Sequence, residues 1–581
     1  MNQTVKLAIA AGVLVSSISE ARVVGDINGA MTSLLGHAPV VTNVYDAQAK
    51  GLDRKATKFQ PWSGSYWPDI MGGIANHWRD HDLFWAQIRF GLRYDVAKKA
   101  VNNDFKAVQE KFNEWDNKKL NDKLAPSEKY DLLVGDRNFT LTRAIIDEMD
   151  FRADHRLALK KRDGTESDSD VNEGLDNNTF LTDVQDESGN STAYQKYDNQ
   201  VEYRYWKKGG GGLAYWSGIC DGWGPASIYL PRPVKPITVT GALGHKITFY
   251  PDDLKALGSY LFARTNTPYF STMNYKFAGR KCDERGSAPD TDRVGYVRDL
   301  RCNDLDPGVF HLALINRIGV DGMGFVMDVD NNLKINNHPV ASYTLTYFNP
   351  QTGVEGSLKN SMVTRFAMGD GYAKRRNPAT KYLVGVKADL SYMFYIWPEG
   401  GRIPRKYRIN EDVKKRNKEY DTTAQDTMSG DSYSYDLELD EKGNILGGEW
   451  GRRADEDAQV AVKYSNQPDF IWMANTDALP FSEMSAYAIA GQKKDLKNAR
   501  PFGNMNWSWN GRGKLPEDWA RAAKEDATWY PPAVGEKVTN ASTGALDILP
   551  PEAKDGILKS AQPLSHIVYY LFDQARSAEQ K

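Results

Sequence analysis

The order of two hydrophobic periodicities along the chain constrains the fold most. Between positions 82 and 120 helix-forming residues dominate and apolar residues recur about every 3.6 positions. A second amphipathic helix is indicated around 140–152. After position 236 the pattern changes to short stretches in which apolar and polar residues alternate. A helical block followed by a sheet predicts an α+β domain.

The second half of the sequence gives individual elements. Two short strands are predicted at 237-ITVTG-241 and 246-KITFY-250, followed by a capped helix over 251–263. The stretch 309-VFHLALINRIG-319 alternates, and with 325-FVMDVD-330 after a turn it predicts a hairpin or meander. The remaining strands are predicted at 341–348, 361–368 and 382–396, with a further hairpin over 432–450.

The composition is that of an ordinary globular protein. Of the 581 residues 41% are hydrophobic and 26% are charged, which is enough apolar material for a packed core. The 74 Lys and Arg residues are balanced by 76 Asp and Glu residues, for a formal net charge of −2. This balance argues against a nucleic-acid-binding surface or an anionic-membrane-binding surface.

The N-terminus has the features of a cleavable secretory signal over residues 1–21. A short basic end is followed by the apolar run 7-LAIAAGVLV-15 and by small residues at Ser19 and Ala21. The run is shorter than the roughly 20 apolar residues that span a bilayer, and no other run reaches that length. We expect a secreted protein without a transmembrane segment; the alternative is a buried N-terminal helix.

The three cysteines suggest one disulfide and one free thiol. Cys282 and Cys302 are 20 residues apart in a charged, loop-like region. Closing a loop of that size stabilises a fold by on the order of 3 kcal/mol, so their pairing is the simplest arrangement in an exported protein. Cys220 is then left free. The alternative is three reduced cysteines in a cytosolic protein.

Cys220 lies where a helix is expected to begin. The stretch 215-YWSGICDGWGPASIYLPRP-233 has glycines that allow close backbone approach, and Pro225 falls near the first helical turn. Helix N-termini favour negative charge, which suits a thiolate nucleophile, and the Cys220 amide could donate to an oxyanion. The alternative for Cys220 is a small core residue.

A base and an orienting acid for this thiol can be named from the order of residues. Of the eight histidines, His311 falls in the middle of a predicted strand, and Asp328 falls on the next one. Neighbouring antiparallel strands can place such a pair side by side, although Asp330 could equally be the acid. The order Cys, His, Asp is typical of papain-like and transglutaminase cores. The alternatives are a strand histidine bonded to a neighbour and an acidic turn residue.

No metal or cofactor site is predicted. The segment 328-DVDNNLKINNHP-339 begins like a calcium loop, but Leu333 stands where glycine is required and Pro339 where glutamate is required. The acidic stretch 160–200, which we interpret as an exposed polar insertion, does not match calcium-loop spacing either.

A series of short motifs, in the order in which the family has them, resembles the transglutaminase elicitor family, known from oomycete cell-wall proteins and marine-bacterial relatives. The matching pieces cover about 60–476: 62-WSGSYWPDIMGGIANHW-78, 126-PSEKYDLLVGD-136, 218-GICDGWGPASI-228, 301-RCNDLDPGVFHLALIN-316, 447-GGEW-450 and 468-PDFIW-472. The resemblance implies a cysteine-protease-like core and protein–glutamine γ-glutamyltransferase activity. It assigns the nucleophile to Cys220, the base to His311 and the orienting acid to Asp328. Calcium dependence is known for some transglutaminases, but no calcium site is recognisable here.

The family carries a surface peptide detected by plant defences, and 335-INNHPVASYTLTY-347 occupies its place. Asn336 stands where the family peptide has Trp, His338 where it has Gln, and Ala341-Ser342 where it has Arg-Gly. These departures argue against elicitor activity.

The sequence thus predicts a secreted transglutaminase acting on protein substrates, with a glutamine donor and a lysine or other amine acceptor. Trp216 and Trp223 flank the nucleophile and could wall a groove, or pack in the core. The alternatives are a secreted cysteine protease or amidase with the same triad, and a non-catalytic secreted surface protein. The predicted organisation is a signal peptide at 1–21, an N-terminal extension or pro-segment at 22–60, a catalytic domain at 61–478 and a helical C-terminal extension at 479–581.

Overall fold

The structure is a computed structural model of mixed helices and antiparallel sheet. It describes residues 26–68, 72–75, 124–137, 139–145, 180–185, 191–197, 200–203, 218–244, 246–264, 275–279, 305–329, 335–373, 376–395, 421, 423, 426–450, 467–474, 513–517, 520, 521, 523, 537–539, 546–548 and 565–576.

The helices are short and spread along the chain. They are α1 (Ile27–Leu35), α2 (Val44–Ala49), α3 (Pro126–Leu133), α4 (Cys220–Tyr229), α5 (Pro251–Arg264), α6 (Pro307–Ala313), α7 (Leu358–Ser361), α8 (Asp370–Ala373) and α9 (Ser565–Ala575). A π-helical segment, Leu314–Val320, continues α6, and 3₁₀ turns cover Gly73–Ala75 and Arg365–Met368.

The strands form one large sheet and three small ones. They are β1 (Arg54–Ala56), β2 (Phe180–Gln185), β3 (Ser191–Tyr197), β4 (Gln200–Tyr203), β5 (Ile237–Thr240), β6 (Lys246–Phe249), β7 (Tyr275–Gly279), β8 (Val326–Asp328), β9 (Asn337–Phe348), β10 (Glu355–Gly356), β11 (Met362–Thr364), β12 (Tyr382–Phe394), β13 (Thr427–Leu439), β14 (Ile445–Trp450), β15 (Phe470–Ala474), β16 (Lys537–Thr539) and β17 (Leu546–Ile548).

The large sheet is antiparallel, in the order β14-β13-β12-β9-β8-β15-β7. Strand β9 pairs with β12 over most of its length, while its start pairs with β8 and its later part with β1 and β10. Strand β9 therefore connects the short strands β8, β15 and β7 to the long strands β12 and β13.

Two hydrophobic cores lie on the two sides of this sheet. Successive strand residues point to opposite faces, and in β8 Val326 packs in the first core while Met327 packs in the second. In β15 the same alternation sends Trp472 to the first core and Ile471 to the second. The first core contains residues of α3, α4, α5 and α9, and the second contains residues of α1 and α6.

The strand prediction for 309–319 is wrong, because these residues form α6 and the π-helical segment after it. Asp306 caps the helix through the backbone N–H groups of Gly308 and Val309, and Pro307 stands at its first position, where a missing N–H costs little. The helix is buried on all sides, so no polar face marks it as helical. His311 is consequently on a helix rather than on the sheet, contrary to the predicted fold.

The other predicted elements agree better with the structure. The two short strands, the helix after them, the strand holding Asp328 and the hairpin near 432–450 are confirmed as β5, β6, α5, β8 and β13–β14. The strand predicted at 361–368 is limited to β11 and ends in a 3₁₀ turn. Part of the insertion expected to be loop-like over 160–200 forms the small sheet β2–β3–β4. The helix predicted around 140–152 is seen over 140–145, and the 82–120 helix lies outside the described residues.

Both flanking regions contribute to the packed structure. In the N-terminal region, β1 pairs with β9, and α1 buries Met31 and Leu34 in the second core. In the C-terminal region, α9 packs on α5, and its Phe572 ring stacks on Trp62 with centroids 6.5 Å apart. That region also contains the antiparallel strand pair β16–β17, which was not predicted. Residues 1–21 and the Cys282–Cys302 pair lie outside the described residues, so the signal peptide and the disulfide stay predictions.

No helix in the described part of the chain is both long and apolar enough to span a membrane.

Candidate functional site

Cys220 is the first residue of α4, and its thiol is free and partly exposed. The preceding residue, Ile219, is anchored by its backbone N–H, which donates to the Tyr66 carbonyl at 2.7 Å. The prediction that this cysteine begins a helix is therefore confirmed. The start of the helix is held by the Trp-rich loop that precedes α3 in the sequence.

The rest of α4 is fixed by close packing. The Trp223 indole is fully buried and donates from Nε1 to the Trp62 carbonyl at 3.2 Å. At Gly222 there is no room for a side chain, because a Cβ atom there would lie 1.9 Å from the Ser259 carbonyl oxygen of α5. Trp223 therefore packs in the core, which was one of the two interpretations from the sequence, and does not wall a groove. Trp216 lies outside the described residues.

The side chain that faces the Cys220 sulfur is Asn337, the first residue of β9. Its Nδ2 lies 3.9 Å from the Cys220 Sγ, and its Oδ1 accepts a hydrogen bond from Trp472 Nε1 at 3.0 Å. Asn337 pairs with Asp328 across the β8–β9 ladder, and Trp472 pairs with Val326 across the β8–β15 ladder. Three neighbouring strands thus place one amide, one carboxyl and one indole beside the start of α4.

The surroundings of the thiol favour its protonated form. Burial and the nearby Asp221 carboxylate raise the pKa of Cys220 to about 12, and the charge of Asp328 acts in the same direction. Hydrogen bonds from the side chain and the backbone of Asn337 oppose this rise. Asp328 is itself buried and accepts from the Asn336 backbone N–H at 2.7 Å. The net effect of these influences is to favour the protonated thiol at neutral pH.

His311 does not share these surroundings. Its Nδ1 lies 2.9 Å from the Tyr435 hydroxyl, and its Nε2 is buried without a hydrogen-bond partner among the described residues. Burial alone lowers the pKa of His311 to about 3, so the imidazole is neutral. Its helix α6 packs in the second core, whereas α4 packs in the first. The structure therefore brings Cys220 and Asp328 together and leaves His311 on the opposite side of the sheet.

A different histidine, His338, contacts the helix of Cys220. Its ring meets Trp223 edge-on, with centroids 5.9 Å apart, and stacks on Phe394 and Tyr395 at 5.0 Å and 4.9 Å. Its Nδ1 lies 2.9 Å from the Met393 carbonyl, which can only accept, so Nδ1 carries the proton. Burial lowers the pKa of His338 to about 4, and the bond to Met393 opposes the fall.

Sequence reasoning missed Asn337 as a neighbour of the nucleophile. Asn337 and Asp328 stand opposite each other because β8 and β9 pair antiparallel in this register. The acidic end of β8 and the polar start of β9 are visible in the sequence. Register cannot be read from them, because β8 and the first five residues of β9 are buried without alternation.

The described residues contain no group of three or more His, Cys, Asp or Glu side chains that could hold a metal ion. The functional groups of the candidate site are therefore the Cys220 thiol, the Asn337 amide and the Asp328 carboxyl.

These features define the class as a mixed helical and antiparallel-sheet protein with a free cysteine at the start of a buried helix. A family model described as "Transglutaminase elicitor" matches residues 166–484, which is more than half of the chain. The protein belongs to the transglutaminase elicitor family, which confirms the resemblance found in the sequence.

Among solved structures, the chain is similar to the GP42 transglutaminase from Phytophthora sojae. The two share 20% identity over 81% of this chain and 99% of that one, with a TM-score of 0.40. No curated protein matches the chain.

Proposed function

We propose that this protein is a secreted transglutaminase in which Cys220 is the nucleophile. Membership of the transglutaminase elicitor family supports the activity and an extracellular location. The observation that carries the proposal is the free thiol of Cys220 at the N-terminal end of a buried helix. Backbone N–H groups at such an end are available to an anion, and the helix dipole favours negative charge there.

The proposed reaction has two acyl-transfer steps. The sulfur of Cys220, once deprotonated, attacks the carboxamide carbon of a protein glutamine and forms a C–S bond. The C–N bond breaks, and the amide nitrogen takes up a proton and leaves as ammonia. A lysine or other primary amine then attacks the thioester, the C–S bond breaks, and the sulfur recovers a proton lost by the amine.

Deprotonation is the demanding step of this scheme, because the surroundings of Cys220 hold the pKa of its thiol high. The family resemblance assigns the base to His311, and we retain that assignment as a proposal. His338 is the natural comparison, because its ring contacts the helix that carries Cys220. Substituting each histidine by alanine in the full chain separates the two: a catalytic base contributes about 10² to 10⁴ in rate.

The test of the function uses a glutamine-containing donor protein, a labelled primary amine as the acceptor and the full-length protein. We expect label incorporation by the wild type and none by Cys220→Ala. Cleavage of the glutamine-containing protein without incorporation would instead indicate a cysteine protease with the same nucleophile. The histidine variants are measured in the same assay, and retained incorporation by His311→Ala would contradict the base assignment.

One observation favours a second candidate, a non-catalytic secreted surface protein in which Cys220 is structural. The raised pKa of the thiol is what a packing cysteine would show. If both the wild type and Cys220→Ala are inert and Cys220 resists alkylation, this candidate replaces the enzyme.

A further inference from the structure

We propose that Asn337, oriented by Trp472, is the side-chain donor that stabilises the thiolate form of Cys220. This inference rests on the proposed function, because it gives the amide a role in activating the same nucleophile. It concerns a residue that the sequence-based triad does not include.

The orientation of the Asn337 amide is fixed by its second partner. An indole N–H can only donate, so the atom that faces Trp472 Nε1 at 3.0 Å must be the carbonyl oxygen Oδ1. The NH₂ group of the amide is then the atom group that faces the Cys220 sulfur at 3.9 Å. Reversing the amide would place two donors against each other, so the bond to Trp472 selects the donor for the sulfur.

The backbone also holds this pair in place. Asn337 lies in the ladder with Asp328, and Trp472 lies in ladders with Val326 on one side and Phe277 on the other. The Trp472 ring stacks on Phe277, with centroids 5.7 Å apart. Asn337 and Trp472 are both nearly fully buried, so neither has room to adopt another rotamer freely.

The effect of the Asn337 donor depends on the charge of the Cys220 sulfur. An N–H donor bonds more strongly to an anionic sulfur than to a neutral one, so it favours deprotonation. Burial and the carboxylates of Asp221 and Asp328 act against the thiolate, and hydrogen bonds from Asn337 act for it. Loss of the Asn337 side chain would remove the only side-chain donor to the sulfur that is seen among the described residues and leave the backbone hydrogen bond of residue 337 and the helix dipole to oppose burial and the two carboxylates.

The experiment measures thiolate formation directly and does not require acyl transfer. The full-length protein is treated with iodoacetamide at several fixed pH values, and modification of Cys220 is followed by peptide mass spectrometry. Because the thiolate is the reactive species, the rate at a pH below the thiol pKa falls tenfold for each unit by which the pKa rises.

We expect Asn337→Ala to lower the alkylation rate of Cys220 about tenfold, as loss of one charge-assisted hydrogen bond corresponds to roughly one pKa unit. The smaller side chain opens space beside the sulfur, which by itself would raise the rate, so a fall isolates the lost donor. Asn337→Asp keeps the shape and replaces the donor by a negative charge; we expect a larger fall. Trp472→Phe keeps Asn337 and removes its orienting bond, and we expect a smaller fall.

Asn316→Ala is the matched control. Asn316 is also a buried amide, but it bonds the carbonyls of Val41 and Leu312 in the second core. Its variant should leave the alkylation rate of Cys220 unchanged.

An unchanged or faster rate in both Asn337 variants would overturn the proposal, as would a wild-type Cys220 that is not alkylated at any pH tested. Failure of the Asn337 proposal can be distinguished from failure of the transglutaminase proposal. If the Asn337 variants are alkylated more slowly than the wild type, but the wild type does not incorporate amine, the role of Asn337 is supported and the transglutaminase function is refuted. If the wild type incorporates amine and the Asn337 variants are alkylated at the wild-type rate, the transglutaminase function is supported and the role of Asn337 is refuted.

Discussion

The carboxyl that caps α6 makes the stability of this fold depend on pH. Asp306 accepts from the backbone N–H groups of Gly308 at 2.7 Å and Val309 at 3.1 Å. Burial raises the pKa of Asp306 to about 7, the two backbone bonds oppose the rise, and the charge of Glu438 adds to it. Arg376 opposes it weakly. The Asp306 carboxyl that caps α6 is therefore about half protonated near neutral pH.

The size of the effect follows from the two pKa values of Asp306. The value rises from 3.8 to about 7 on folding, a difference of about three units, which corresponds to at most about 4 kcal/mol. Between these pH values the folded chain binds a proton that the unfolded chain lacks. The stability contributed by this proton is complete below about pH 4, decreases as the pH rises, and is lost above about pH 7.

Asp306→Asn makes the cap permanently neutral and keeps the oxygen that accepts from the helix. We expect the variant and the wild type to have similar stability near pH 4. The variant should become the more stable of the two as the pH rises, by about 2 to 4 kcal/mol at pH 8. The measurement is the free energy of unfolding in urea, followed by tryptophan fluorescence at pH 4, 5, 6, 7 and 8.

Asp26→Asn is the control for this prediction, because Asp26 caps α1 through the Gly29 N–H at 2.8 Å on the exposed surface. Any general effect of replacing a capping carboxylate by an amide appears in this variant as well. A difference between Asp306→Asn and the wild type that is independent of pH would refute the reasoning, as would a variant less stable than the wild type at pH 8.

Three further perturbations test how the fold holds the nucleophile. Gly222→Ala would push α4 from α5, since the added Cβ meets the Ser259 carbonyl oxygen at 1.9 Å, and we expect a loss of about 1 to 3 kcal/mol in thermal unfolding. Asp421→Ala would remove the carboxylate buried against Lys255 and Arg232, and the loss of this buried ion pairing should cost about 3 to 5 kcal/mol in urea unfolding. Deleting 22–60 should abolish a protease-resistant fold, because β1 and the buried face of α1 belong to the sheet and the second core.

Controls exist for the two substitutions. A Cβ at Gly356 meets only ordinary contacts, so Gly356→Ala should change the thermal midpoint little. Lys387 and Asp389 form an exposed pair 3.3 Å apart, and Lys387→Ala should cost less than about 1 kcal/mol. Equal losses in test and control variants would contradict the packing and burial arguments. Stable, folded protein after the deletion would support the interpretation of 22–60 as a pro-segment.

The predictable part of the fold is the part with polar and apolar faces. The hairpin over β13 and β14 was predicted because its residues alternate and 440-DEKGN-444 supplies the turn. The start of α4 was predicted because glycines and Pro225 mark a helix boundary around Cys220. In each case the local sequence contains the physical cause of the structure.

The unpredictable part is buried on every side. In α6 and the segment after it, Val309 to Ile315 have no exposed face, so an apolar run looked like alternation around a single histidine. The local signal for a helix here is the N-terminal cap 306-DPG-308, but these three residues are equally common in turns. The position of Asn337 beside Cys220 depends on strand register and on a helix more than a hundred residues earlier, neither of which is local.

The position of the sheet between Cys220 and His311 has a consequence for the assigned triad. The two side chains pack in different cores, and His311 is fixed by Tyr435 and by the Asp306-capped helix that carries it. If His311 is the base that we propose, α6 and α4 must approach each other during catalysis, because the two helices pack in different cores in the conformation seen. The groups that do meet the sulfur, Asn337 directly and Asp328 through its charge, stand at one end of the β8–β9 ladder. Activation of Cys220 in the conformation seen therefore has to begin at that ladder, and the alkylation and histidine experiments test the two requirements separately.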